Sequence, residues 1–391
     1  MNTTVPLPPS PNPTETVLSG PRVALVGAGL AFGIWFFAED NLQQGQLFAI
    51  GLGLGAALFY GAFGFSAAYR KAIVHRDVSG VLAQIIMIGL ATLLFAPVLS
   101  SGEASGAWAP VGVQVGIGAF IFGVGMQLGG ACASGTLFSI GGGSLRMMIT
   151  LFFFCMGAFI GSLHLGWWGQ LPDWGTHSLG HLYGWESAVL IQTSIFVLLF
   201  FALRRWSKGH AQSGLWKSEL GLKNLLIGPW PLIHCAIALA LLNFATLMTA
   251  GHPWSITWAF TLWGAKTATV LGWDAASSGF WTAPFQAQAL GNPVWQDKTS
   301  LMNIAVVIGA FAAAIISSGL KIKAHISLTT LLALIIGGLM MGYGARLAYG
   351  CNIGALFSGM ASTSLHAWLW IFCAIPGTMV GIKLRPLFGL D

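Results

Sequence analysis

The sequence predicts an all-α polytopic membrane protein built from two related halves, and three observations predict it. Charged residues make up only 7% of the 391 while 55% are hydrophobic and the mean hydropathy is +0.77, so a water-facing surface of ordinary polarity cannot be assembled. Apolar stretches of membrane-crossing length recur along the chain. One glycine-rich segment centred on a cysteine occurs twice.

In chain order the apolar stretches fall near 22–38, 47–68, 81–99, 111–128, 148–166, 188–203, 231–250, 301–319, 327–347 and 367–382. A helix needs about 20 such residues to cross the hydrocarbon core. The stretch 256–273 is apolar but holds Lys266, and the motif segments 129–140 and 348–359 are too rich in glycine for plain helix. These are expected as broken or re-entrant elements, tolerated at membrane depth only inside protein or beside a cavity. Residues 1–21, polar and proline-rich without a basic start, read as a disordered cytoplasmic tail rather than a secretory signal. The halves are then 22–205 and 229–391, joined by a cytoplasmic loop over 206–228.

Loop charge sets the orientation, because cytoplasmic loops collect Lys and Arg. Arg70, Lys71, His75 and Arg76, then Arg204, Arg205, Lys208, Lys217 and Lys223, then Lys321 and Lys323, then Lys383 and Arg385 are expected inside. The segments 39–46, 100–110 and 167–187 carry Glu39, Asp40, Glu103, Asp173 and Glu186 with no Lys or Arg, and are expected outside. Both termini come out cytoplasmic. Trp167, Trp168, Trp174 and Trp185 supply an interfacial aromatic belt. The net charge of +6 follows this loop pattern, so no nucleic-acid partner is expected.

The repeat aligns GVGMQLGGACASGTLFS at 123–139 without gaps on GYGARLAYGCNIGALFS at 342–358, with eight identities that include Cys132 with Cys351. A fainter echo pairs Phe65–Tyr69 with Trp281–Phe285. The charge-derived topology makes the two copies inverted, the arrangement in which transporters place substrate between discontinuous helices.

The motif's chemistry suits an anion. Gly129, Gly130 and Gly350 let the backbone break its helix and approach a ligand, with Gly135 and Gly354 following in the repeat. A new half-helix begins at each cysteine, offering unpaired N–H groups. Ser134 and Thr136 in one half and Asn352 in the other add donors. Arg346, about a turn and a half before Cys351, and Lys266 are either substrate-path cations or structural residues, since a membrane-embedded cation needs a partner or a wet path. A neutral thiol adds a weak donor and a soft sulfur contact, which favours a sulfur-bearing anion. Cys155, Cys235 and Cys373 lack the glycine context and read as packing. With five cysteines inside or beside apolar spans, structural disulfides are not expected. His177 and His181 have no third ligand in sequence, so no metal site or cofactor is expected.

At these segments the sequence resembles the YeeE/YedE family of bacterial membrane proteins, through GMQLGGACASGTLF and GYGARLAYGCNIGALFSG and, more weakly, GFSAAYRK and WAFTLWGAK. The resemblance implies thiosulfate uptake across the cytoplasmic (inner) membrane, an hourglass of helices with a cysteine-lined constriction, and a small cytoplasmic sulfur carrier of the TusA type. It also implies a third cysteine where this chain has Gly64, with Ser66 as a substitute donor nearby. The expected function is a permease for thiosulfate or a related sulfur-containing ion. The alternatives are a selenium-compound or sulfite transporter, or a membrane sulfurtransferase, against which stands the absence of a carboxylate or His beside either cysteine in sequence.

Overall fold

The computed structural model describes residues 20–208, 215, 227–317 and 326–390, and those residues are helical almost throughout. Residues 1–19 of the expected tail over 1–21, most of the loop 206–228 with Lys217 and Lys223, and Lys321 and Lys323 lie outside the described residues. Nine helical stretches among the described residues are long and apolar enough to cross a membrane. The chain is a multi-pass helical membrane protein.

The first half runs through α1 (Gly20–Asp40), α2 (Leu42–Tyr60), α3 (Phe65–His75), α4 (Ser79–Ser101), α5 (Val113–Leu128), α6 (Ala133–Gly141) and α7 (Leu145–Leu163). Short pieces α8 (Leu165–Trp168) and α9 (Leu179–Tyr183) lead to α10 (Trp185–Trp206). The second half holds α11 (Leu232–Ala250), α12 (Thr257–Val270), α13 (Pro284–Gly291), α14 (Lys298–Ser317) and α15 (Leu328–Leu347). A π-helix (Asn352–Ser358), the single turn α16 (Gly359–Ala361) and α17 (Leu365–Leu384) complete it. Strands β1 (Pro110–Gly112) and β2 (Asp173–Thr176) pair antiparallel, bringing the two expected outer loops together.

Two expectations change here. The stretch 47–68 is not one span: the chain breaks between α2 and α3 at residues 61–64, where Gly61 and Gly64 supply no side chain to continue an apolar face. Within the stretch 256–273 the helix Thr257–Val270 runs unbroken for 14 residues, roughly 21 Å at 1.5 Å per residue, which falls short of the core thickness.

Helix contacts come in matched sets. Helix α2 packs on α14 as α11 packs on α4, and α7 packs on α15 as α17 packs on α5. Likewise α6 meets α14 as α16 meets α4, while α3 meets α4 and α17 as α12 meets α14 and α7. Helices α5 and α15 lie side by side at the centre; a Cβ at Gly125 would stand 2.7 Å from the Met341 nitrogen, so the small residue permits the close approach. In this pattern the partner of α3 is α12, and both bury a face. The segment 281–285 of the faint echo leads into α13 and buries Trp281.

Candidate functional site

Each motif copy is a helix, a turn and a second helix that starts after the cysteine. Helix α5 ends at Leu128, Gly130 turns the chain at φ +84°, and Cys132 is the extended residue that caps α6. Helix α15 ends at Leu347, Tyr349 turns the chain at φ +57°, and Cys351 caps the π-helix. Gly130 and Tyr349 occupy equivalent repeat positions, so both copies turn through the left-handed region at the same place. Gly350, at φ +156°, has its α-carbon packed against the Ala355 nitrogen, where a Cβ would stand 2.6 Å away.

The two cysteines are 1% exposed, and α6 touches the π-helix. Cys132 and Cys351 stand at the starts of these two touching helices. Cys132 Sγ is 3.4 Å from Ser134 Oγ, and either group can donate. Cys351 Sγ accepts the Ile353 N–H at 3.4 Å, which leaves the thiol hydrogen free to point elsewhere.

Asn352 and Tyr69 add to this centre from opposite halves. Asn352 is fully buried, its Nδ2 is 3.4 Å from the Tyr69 hydroxyl, and its Oδ1 has no partner. An unpaired buried acceptor costs about 1–3 kcal/mol, so the position departs from packing alone. Tyr69 is brought there by α3, which packs against α4 and α17.

The other expected residues divide. Gly135 sits so close to Cys132 that a Cβ there would be 3.5 Å from Sγ, and Gly354 faces Ser255, whose Oγ would be 3.4 Å from a Cβ. Gly129 closes α5, and its carbonyl accepts the Thr150 hydroxyl. Thr136 donates its hydroxyl to the Cys132 carbonyl, and Ser66 donates to the Met126 carbonyl at 2.9 Å. Both of those hydroxyl hydrogens go to backbone carbonyls. Lys266 donates to the carbonyls of Leu290 and Asn292 at 2.7 and 2.6 Å, fastening the end of α13. Arg346 packs beside Gly161 of α7 with its guanidinium 4.7 Å from the Phe280 ring centre. Neither cation is brought to a thiol by these contacts.

The remaining cysteines behave as packing residues: Cys155 is buried in α7, Cys235 donates to the Ala57 carbonyl, and Cys373 packs near Gly116. All five are free thiols. His181 packs tilted against Trp108 and edge-on against Trp185, and His177 bonds to the Trp174 carbonyl.

Sequence reasoning missed Tyr69 and Ser255. For Tyr69 a signal existed, because Ser66 and Tyr69 are three apart and share one face of α3. Ser255 had none; it comes to Gly354 only because Asn243 Oδ1 accepts the Trp254 N–H, Ser358 Oγ donates to the Trp254 carbonyl and Asn303 Nδ2 donates to the Ile256 carbonyl.

The family described as "Sulphur transport" matches residues 60–380. The chain is 28% identical over 352 residues to the thiosulfate transporter TsuA of Spirochaeta thermophila, covering 86% of this chain and 98% of that one. It is 25% identical over 329 residues to TsuA of Escherichia coli K12, covering 81% and 87%. To the probable transporter YedE of Escherichia coli K12 it is 32% identical over 165 residues, which are 42% of this chain and 40% of YedE.

Proposed function

The chain belongs to the sulphur-transport (YeeE/YedE) family, and we propose that it is a permease for thiosulfate that moves its cargo past Cys132 and Cys351. Sulfur-compound transport is the family's business; the thiosulfate assignment draws on the two TsuA relatives, one of them matched over nearly its whole length. The observation that carries the pathway is the meeting of two equivalent helix breaks, each capped by a buried cysteine.

The two halves are related as an inverted repeat in this reading. The matched exchange of helix contacts supports it, since a two-fold relation pairs α2 with α11, α3 with α12, α4 with α14, α5 with α15 and α7 with α17. The loop charges add the sense of the inversion. The cysteine breaks then form the constriction, in an inner membrane with both termini cytoplasmic.

The anion meets neutral donors there. A protonated thiol donates S–H to it, while a thiolate would repel it. Cys351 is suited to this because its sulfur is already held by a backbone N–H. A TusA-type carrier would receive the cargo inside, and its failure to copurify or to speed uptake would remove that partner.

Radiolabelled thiosulfate uptake into proteoliposomes tests the reading. Cys132→Ala and Cys351→Ala should each lower uptake at least about tenfold, the scale of one lost contact worth 1.4 kcal/mol. Unchanged uptake at normal protein levels would sink it. Competition by sulfite, sulfate and selenite ranks the substrates. A covalent sulfur adduct building up on Cys351 during turnover would instead make the chain a sulfurtransferase.

A further inference from the structure

We propose that Tyr69 and Asn352 form an oxyanion-holding station between the two thiols, gripping the oxygens of the anion while its terminal sulfur passes from one cysteine to the other. This deepens the permease reading and rests on it.

The pair is built from both halves, Tyr69 from α3 and Asn352 from the first residue of the π-helix. Asn352 is 0% exposed and Tyr69 5%. Between them they hold three donor hydrogens, one O–H and two N–H. As placed, Asn352 Nδ2 donates to the Tyr69 oxygen at 3.4 Å, while Asn352 Oδ1 has no partner. With the amide turned over, Tyr69 donates to Oδ1 and both N–H groups are released. Either way, two of the three donor hydrogens have no acceptor among the described residues. Uncommitted donors at the residue that follows Cys351, with no carboxylate in these contacts, fit an anion that brings its own acceptors.

The station adds what thiols cannot supply. S–H is a weak donor suited to a sulfur or oxygen in passing, while O–H and amide N–H are the stronger groups for an oxyanion. The repeat does not duplicate it, because Ala133 stands at the position equivalent to Asn352. One station therefore serves both thiols.

Tyr69→Phe removes the hydroxyl and keeps the ring. In proteoliposomes made with the full chain, its thiosulfate Vmax/KM should fall about tenfold, as loss of a hydrogen bond to a charged group does. The thermal shift that thiosulfate gives the purified protein in detergent should shrink in step, while the midpoint without thiosulfate stays put. Cys132→Ala and Cys351→Ala run alongside. Should Tyr69→Phe keep uptake and thermal shift within twofold of the unaltered protein while the cysteine variants lose uptake, the station is overturned and the permease reading survives. If none of the three variants changes uptake, both fall. If Tyr69→Phe lowers the ligand-free midpoint and leaves the thiosulfate shift intact, the residue is a packing group and the station is again overturned.

Discussion

The two cysteine turns share a sequence and differ in what surrounds the sulfur. In the first half Cys132 caps a regular α-helix and shares a hydrogen with Ser134. In the second, Cys351 caps a π-helix, accepts a backbone N–H, and stands next to a buried amide whose oxygen is unpaired. A π-helix inserts an extra residue per turn at a cost in hydrogen-bond geometry, and such segments gather at functional sites. The two copies share the turn, and Asn352 stands in the second where the first has Ala133.

The largest way to break that difference is to spoil the amide. Asn352→Asp keeps the shape and places a carboxylate beside two thiols and an incoming anion. Like-charge repulsion in a site of low dielectric is worth several kcal/mol at an effective dielectric constant of about 20, so thiosulfate uptake should fall by well over tenfold. Uptake near the unaltered rate in a folded variant would show that the anion does not pass this residue. The first copy should be more forgiving. Ser134→Ala removes one partner of Cys132 and leaves the thiol free to donate, so uptake should drop only about threefold, within the range of a single neutral hydrogen bond.

Much of this site was legible in the chain. The cysteines, the turn after each central helix and the start of a new helix at each cysteine all follow from glycine placement and repetition, which are local properties. What escaped is non-local. Tyr69 reaches Asn352 from 283 residues away, and Ser255 arrives through three polar side chains on other elements. Composition left Lys266 and Arg346 open between path cation and structural residue, and their contacts, two carbonyls for one and an aromatic ring for the other, are equally non-local. The break at 61–64 was hidden for a different reason, since apolar residues run on through it and hydropathy does not register a change of direction.

That break offers a gentler way to sharpen the comparison. Gly64 stands at the cap of α3 with φ −104°, a conformation open to any residue, and a Cβ there would meet only the Ala67 Cβ at 3.7 Å. Gly64→Cys should therefore fold normally and give the first half a thiol besides Cys132 on the proposed path. Uptake is expected to rise by no more than about twofold, because a single neutral S–H contact is a weak one. A fall in uptake would mean that the open space at Gly64 is itself part of the path.

The smallest effect tests the backbone that the two copies share. Tyr349 holds a left-handed conformation at φ +57°, which costs a side-chain-bearing residue about 1–2 kcal/mol, whereas Gly130 adopts the equivalent turn at φ +84° without a Cβ. Tyr349 is 45% exposed, so little burial is lost when it is trimmed. Tyr349→Gly relieves the strain but adds freedom to the unfolded chain worth roughly 0.5–1 kcal/mol. The net gain should be under about 1 kcal/mol, seen as a slightly raised thermal midpoint in detergent with uptake unaltered. Gly130→Ala should move the midpoint the other way, because it imposes on the first copy the strain that the second already carries. Opposite signs at the two positions would show that one turn geometry serves both halves; equal signs would mean that the resemblance between them ends at the sequence.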